Sequence, residues 1–175
     1  MFSDNENYII KGISGFYYVK TADGILECKA RGIFRKKGII PVAGDYVELA
    51  YEKNDTPVIN TIKERKNFLL RPPIANIDQL FIVISTIDPS PDFLLTDKLT
   101  AIAVENNIIP FIVITKSDLF TADVIKEHYK NSEISLLVSN KNDLKFSKMI
   151  TDTLKGKLSV FVGNSGVGKS TLLNY

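Results

Sequence analysis

Eight consecutive residues carry the most specific chemistry in this 175-residue chain: Gly163, Asn164, Ser165, Gly166, Val167, Gly168, Lys169 and Ser170. A glycine, four residues and then Gly-Lys-Ser is the spacing of a phosphate-binding loop. Glycines at such positions let backbone amides turn inward around a polyphosphate, because they reach conformations that a side chain obstructs. Lys169 is placed to reach the terminal phosphates, and the Ser170 hydroxyl to ligate a magnesium ion that neutralises charge between the β- and γ-phosphates. The flanks fit this reading. Residues 158–162 (LSVFV) form an apolar run of strand type, and Ser170, Thr171 and the residues after them open a helix whose N-terminus favours an anion.

A second polar cluster, Thr115-Lys116-Ser117-Asp118, follows the apolar run 110–114 (PFIVI). It is similar to the Asn-Lys-x-Asp motif by which GTPases select guanine. The chemistry suits the residue types: guanine presents a ring N–H beside an exocyclic amine, and an acceptor-only carboxylate such as Asp118 can take both bonds. Adenine offers no such pair of donors. Thr115 departs from the motif, where an asparagine amide would brace neighbouring loops, and a weaker affinity is the expected result. A third candidate is Ser139-Asn140 after the run ISLLV, in the place of the Ser-Ala turn whose backbone amide touches the guanine carbonyl. Position supports that assignment more than the letters do; an ordinary polar turn explains Asn140 and the polar residues after it equally well.

These loops must be held by something, and the second part of the chain supplies it. Residues 80–85 (LFIVIS) make a continuous apolar run of the kind that belongs to a strand covered on both faces. A helix is expected next, capped by Asp92 and turning Leu95, Leu99, Ile102 and Ala103 toward the sheet. The run at 110–114 is then a second buried strand. Residues 122–129 read as helix, 134–138 as extended, 144–154 as helix and 158–162 as a further strand. Such alternation means an α/β domain with a parallel sheet and helices on both faces. All the candidate loops leave the carboxyl ends of strands, so one edge of the sheet can gather them into one site even though the base-type loops precede the phosphate loop. That order is the reverse of an ordinary GTPase, and it implies a circularly permuted one.

The first part reads differently. Short extended runs at 8–11, 16–21, 25–30, 46–51 and 57–62 are separated by turn residues, among them Asp23-Gly24, Gly44-Asp45 and Asn54-Asp55. Five short strands in some sixty residues suggest an all-β unit, a five-stranded barrel of the oligonucleotide-binding type, with a small sandwich as the other possibility. Arg71-Pro72-Pro73 continues neither a helix nor a central strand, so the boundary is expected near 67–73, giving domains at 1–70 and 71–175. Charge is uneven: the chain holds 22 Lys and Arg against 20 Asp and Glu, and 12 of the basic and 9 of the acidic residues lie within the first 71. Arg31, Arg35, Lys36 and Lys37 cluster beside Phe34, and Arg65 and Lys66 precede Phe68, a mixture that can track phosphates and stack on bases. A solvated face and core phenyl rings explain the same letters.

A barrel followed by a GTPase domain with its base motif before its phosphate loop resembles the ribosome small subunit-dependent GTPase A family. The stretches that carry the resemblance are RGIFR at 31–35, PVAGDYVE at 41–48, RKNFLLRPPIANIDQ at 65–79, TKSDL at 115–119 and VFVGNSGVGKSTLLN at 160–174. The resemblance implies GTP/GDP binding with Mg2+, GTP hydrolysis stimulated by the small ribosomal subunit, late maturation of that subunit, contact of the barrel with 16S rRNA, and a carboxy-terminal zinc domain outside these residues. Only five residues follow Ser170, so the nucleotide domain is expected to be incomplete here, with the residue that positions water beyond Tyr175 and hydrolysis by these residues alone inefficient. An RNA-binding nucleotide sensor with little turnover, or an ATP-dependent enzyme sharing only the phosphate loop, would use the same loop.

One cysteine, Cys28, and one histidine, His128, build neither an internal disulfide nor a cysteine/histidine zinc site. The acidic N-terminus is unlike a secretory signal, and no apolar run approaches the roughly 20 residues of a membrane helix. A cytoplasmic monomer is expected.

Overall fold

The computed structural model describes residues 6–51, 56–139 and 144–174. The chain divides into two compact units, Met1–Ile77 and Asp78–Tyr175.

In the first unit, β1 (Tyr8–Ile13), β2 (Phe16–Thr21), β3 (Gly24–Ala30), a short helix α1 (Gly32–Lys36), β4 (Val47–Ala50) and β5 (Val58–Ile62) form a sheet ordered β1-β2-β3-β5-β4. Its pairs are antiparallel except β3 with β5, where Lys29 and Ala30 lie opposite Val58 and Ile59. The sheet curls closed: Tyr8 bridges Tyr46, and Val47 N–H donates to Asn7 at 2.9 Å. This is the oligonucleotide-binding type of barrel anticipated from the spacing of the runs. Ile9, Val19, Cys28, Val47 and Ile59 fill its interior, and Phe34 turns inward from α1 to join them. Phe34 is therefore a core residue. Its helix escaped the sequence reading because one turn and a half carries no measurable apolar period, and five residues bracketed by charges look like a loop.

Residues 67–77, which include the stretch where a boundary was expected, are structured. They carry a hairpin, β6 (Phe68–Leu70) with β7 (Pro73–Ala75), tied to the rest of the unit by two asparagines. Asn76 donates to Gly44 O and accepts from Lys66 N, while Asn67 exchanges two bonds with the Ile77 backbone. An amide side chain both donates and accepts, so each can replace a missing strand neighbour. Pro72 lies in the turn and Pro73 opens β7 opposite Leu70, at the end of the ladder. Nearby, Asp45 is fully buried and accepts from Val42 N at 2.8 Å and from Arg65 at 2.7 and 2.9 Å. Arg65 also donates to Ile40 O and lies 4.8 Å over the Phe68 ring. Arg65 and Phe68, which suggested nucleic-acid contact, form an internal brace.

The second unit contains β8 (Gln79–Ser85), α2 (Phe93–Glu105), β9 (Ile109–Thr115), α3 (Asp123–Tyr129), β10 (Ser135–Val138), α4 (Leu144–Leu154), β11 (Ser159–Val162) and α5 (Lys169–Leu172). The sheet is wholly parallel in the order β10-β9-β8-β11. All seven residues of β8 are buried, as its unbroken apolar run requires. Phe81 stacks between Phe111 and Phe161 at 4.9 and 4.7 Å, a three-strand row of rings that Phe146, Ile150, Val167 and Leu172 cover. The opposite face carries Ile84, Ile112 and Ile114 under Ala122, Ile125 and Tyr129.

Asp92 caps α2 as anticipated, accepting from Leu95 N at 3.0 Å, but the buried face is turned by about one residue. Thr96, Thr100 and Ala103 are buried, Leu95 and Leu99 are half-buried and Ile102 is exposed. The threonines pack because their hydroxyls bond the carbonyls of Asp92 and Thr96 one turn back, which hides the polar atom. Asp97 accepts the Tyr129 hydroxyl, and His128 stacks on Phe93 at 4.2 Å.

Candidate functional site

The carboxyl ends of β8, β9, β10 and β11 lie along one edge of the parallel sheet, and each releases a loop. After β11, three glycines have positive φ: Gly163 at +148°, Gly166 at +81° and Gly168 at +96°. Gly163 is the tightest. A Cβ there would lie 2.3 Å from Val83 O, so only glycine lets this turn pass the neighbouring strand. Val167 points into the core and anchors the loop, whereas Asn164, Ser165, Ser170 and Thr171 are exposed. Lys169 folds back across the loop and donates to Gly163 O at 2.9 Å and Asn164 O at 2.7 Å. Its ammonium thus already stands over the concave side of the turn.

After β9, Thr115 is nearly buried, and its hydroxyl donates to Val167 O at 2.6 Å, with Ile84 O at 3.3 Å as a longer neighbour. The expectation that Thr115 gives up the bracing role of an asparagine needs correcting. One hydroxyl proton suffices to tie the base-type loop to the phosphate loop. Lys116 adopts a left-handed conformation, φ +57°. Ser117 donates to Ser139 O at 2.9 Å, and Ser139 N–H donates to Ile114 O at 2.7 Å, so the loop after β10 is joined to the one after β9. Asp118 is exposed at the mouth. Asn140 lies outside the described residues.

Between these loops is a pocket of about 270 Å3 lined by Thr115, Lys116, Asp118, Leu119, Ser139, Gly168, Thr171 and Leu172. Residues more than fifty positions apart in sequence therefore share one cavity. The segment between β8 and α2 also takes part, which sequence reasoning missed. Thr86 donates to Lys116 O at 2.8 Å, the Lys116 ammonium donates to Asp88 O, and Ser85 donates to Pro89 O at 2.6 Å. The only signal available was a pair of hydroxyl residues ending an apolar strand.

The basic cluster of the barrel unit is of another kind. Arg31 precedes α1 at the N-cap position without a side-chain capping bond, Arg35 and Lys36 lie in its last turn and Lys37 ends it, and all four are exposed. Among the described residues no group of His, Cys, Asp and Glu is arranged to hold a metal ion, and no helix is long and apolar enough to cross a membrane.

A parallel sheet whose base-type loops precede its phosphate loop, preceded in turn by a closed five-stranded barrel, defines a class: a circularly permuted GTPase fold with an all-β unit ahead of it. The chain belongs to the RsgA GTPase family, whose model matches residues 62–175, while the RsgA N-terminal domain model matches residues 7–59. It is 44% identical over 176 residues to the small ribosomal subunit biogenesis GTPase RsgA 2 of Oceanobacillus iheyensis, covering 97% of this chain and 60% of that protein. Identity to the small ribosomal subunit biogenesis GTPase RsgA of Bacillus subtilis is 41% over 180 residues, with the same coverage of 97% and 60%. Among solved structures, YloQ, a circularly permuted GTPase, superposes with a TM-score of 0.79 at 38% identity, covering 99% of this chain and 64% of that one. YjeQ from Thermotoga maritima gives 0.82 at 29% identity, with 97% and 64% covered. The chain thus spans about 60% of the length of these curated relatives.

Proposed function

We propose that the chain binds GTP and GDP with magnesium at the edge of its parallel sheet and serves a GTP hydrolase of small ribosomal subunit maturation. One observation carries the reading: Lys116, Asp118 and Ser139 of the base-type loops line the same pocket as Gly168 and Thr171 of the phosphate loop. Asp118 accepts the two adjacent donors of guanine, the Lys116 stem covers the base, and the loop at Ser139 and Asn140 meets the guanine carbonyl. Backbone amides of residues 163–169 surround the phosphates. The fit of a polyphosphate rests on Gly163, where a Cβ would close the turn against Val83 O. Lys169 exchanges its carbonyl partners for phosphate oxygens. Ser170 supplies a hydroxyl to magnesium, which when bound neutralises charge between the phosphates.

The barrel unit is assigned to 16S rRNA of the small ribosomal subunit through Arg31, Arg35, Lys36 and Lys37, whose exposure leaves their charges available to a phosphate backbone. The relatives named above as small ribosomal subunit biogenesis GTPases support that partner. A cytoplasmic monomer is the setting assigned to it.

Phosphate release from GTP by the full-length protein, with and without purified small subunits, tests the proposal. Stimulation by the subunit that Lys169→Ala abolishes, and that a combined Arg31, Arg35, Lys36 and Lys37 to Ala variant weakens, is the expected result. Equal turnover of ATP, or indifference to the subunit, would contradict it.

A further inference from the structure

Lys116 is held at both ends by one segment that belongs to neither nucleotide motif. Its carbonyl accepts the Thr86 hydroxyl at 2.8 Å, and its ammonium donates to Asp88 O. The backbone between those ends is in the left-handed region, φ +57°, which is uncommon and unfavourable for a lysine. Thr86 N–H also donates to Thr115 O at 3.1 Å, so two successive carbonyls of the base-type loop are bonded by the same residue. Thr86 is itself only 6% exposed. The segment is fixed in turn: Ser85, 1% exposed, donates to Pro89 O at 2.6 Å, and Pro89 Cδ lies 3.8 Å from where a Cβ of Gly166 would stand.

We infer that Thr86 is a positioning residue for guanine-nucleotide binding: its hydroxyl holds the Lys116 backbone in the left-handed turn that carries the lysine stem over the base and sets Asp118 two residues later. The inference rests on the nucleotide reading above and adds a residue and a role to it. The hydrogen bond of the Thr86 side chain goes to Lys116 O, so its effect is expected in the base half of the site. The Lys116 carbonyl also accepts Leu119 N–H at 3.0 Å and Phe120 N–H at 3.2 Å from its own turn, so removing the hydroxyl takes away the one of these three bonds that ties the turn to the β8–α2 segment.

The test uses the full-length protein and three ligands with magnesium: GDP and inorganic pyrophosphate titrated on the unsubstituted protein, Thr86→Val and Thr86→Ser, and ADP on the unsubstituted protein. Valine keeps the shape and loses the donor, whereas serine keeps the donor. Thr86→Val is expected to weaken GDP by about threefold to tenfold, the worth of one such bond, while pyrophosphate changes by less than about twofold. Thr86→Ser is expected to stay within about twofold of the unsubstituted protein for both ligands. The GDP to pyrophosphate ratio is independent of the folded fraction, so a variant that is merely less stable does not imitate the effect. Equal weakening of both ligands, an unchanged GDP affinity in Thr86→Val, or a serine variant as weak as the valine one would overturn the assignment. If the unsubstituted protein binds pyrophosphate but does not prefer GDP to ADP, the nucleotide reading itself fails, and this inference with it.

Discussion

Arg65 beside Phe68 in the barrel unit and Lys116 near Asp118 in the sheet unit each offered a basic side chain to a candidate ligand surface, yet the fold uses the two in opposite ways. Arg65 is spent internally: it neutralises a fully buried Asp45, bonds Ile40 O and lies on Phe68. Lys116 is tied to the β8–α2 segment through the Thr86 hydroxyl and Asp88 O, with no buried charge to neutralise in either bond, and Asp118 is left facing the pocket mouth. The difference is one of positioning. A strand end in a parallel sheet aims a loop outward whatever its letters, whereas a basic residue near a phenyl in a small barrel is as readily drawn into bracing the fold.

The largest effect should come from Gly163→Ala. A Cβ 2.3 Å from Val83 O at φ +148° cannot be accommodated without moving strand backbone, and a loss of about 2–4 kcal/mol is expected in denaturant unfolding of the sheet unit, together with loss of nucleotide binding. Unchanged stability would mean that the loop is looser than the geometry describes. Next is Arg65→Ala, which strands a buried carboxylate and should cost about 3 kcal/mol. Cys28 offers a local readout. It is buried in the barrel core, and burial first, then the charge of Glu27, pushes its thiol up, so a thiol reagent at neutral pH should label it only when the barrel opens. Labelling should accelerate in Arg65→Ala and stay slow in Gly163→Ala; the reverse pattern would erase the contrast between the units.

Thr115→Val removes the bond that joins the two nucleotide loops and should cost about 1 kcal/mol of stability while weakening GDP. Arg35→Ala sits at the small end. Because Arg35 is exposed on α1, stability should change by less than about 0.5 kcal/mol, and the salt dependence of RNA binding should fall by about one unit of slope. A stability loss at Arg35 comparable to that at Arg65 would show the two arginines to be doing the same job.

The same contrast explains what could be read beforehand. Strands β8 and β9 were legible because parallel strands covered on both faces need unbroken apolar runs, and the turn between β11 and α5 because glycines stand where positive φ is needed. The α2 face was misplaced by a residue because Thr96 and Thr100 hide their hydroxyls on the helix's own carbonyls and bury like apolar groups. The hairpin at 68–75 was not anticipated beside the boundary expected near 67–73, because Asn67 and Asn76 hold it by bonding backbone ten and thirty-two residues away, which no local pattern records. Thr86 went unnoticed for a related reason: its partner is a carbonyl thirty residues away.

The central claim, that two motifs distant in sequence form one base-selective site, is tested most directly by exchanging the hydrogen-bonding sense of Asp118. In Asp118→Asn an amide can donate where the carboxylate could only accept, and xanthine presents a carbonyl where guanine presents its amine. GDP and XDP should be titrated against both forms of the full-length protein with magnesium. The account predicts a preference for GDP in the unsubstituted protein and for XDP in Asp118→Asn, with pyrophosphate affinity unchanged between them. An Asp118→Asn variant that keeps the original order of preference would contradict it.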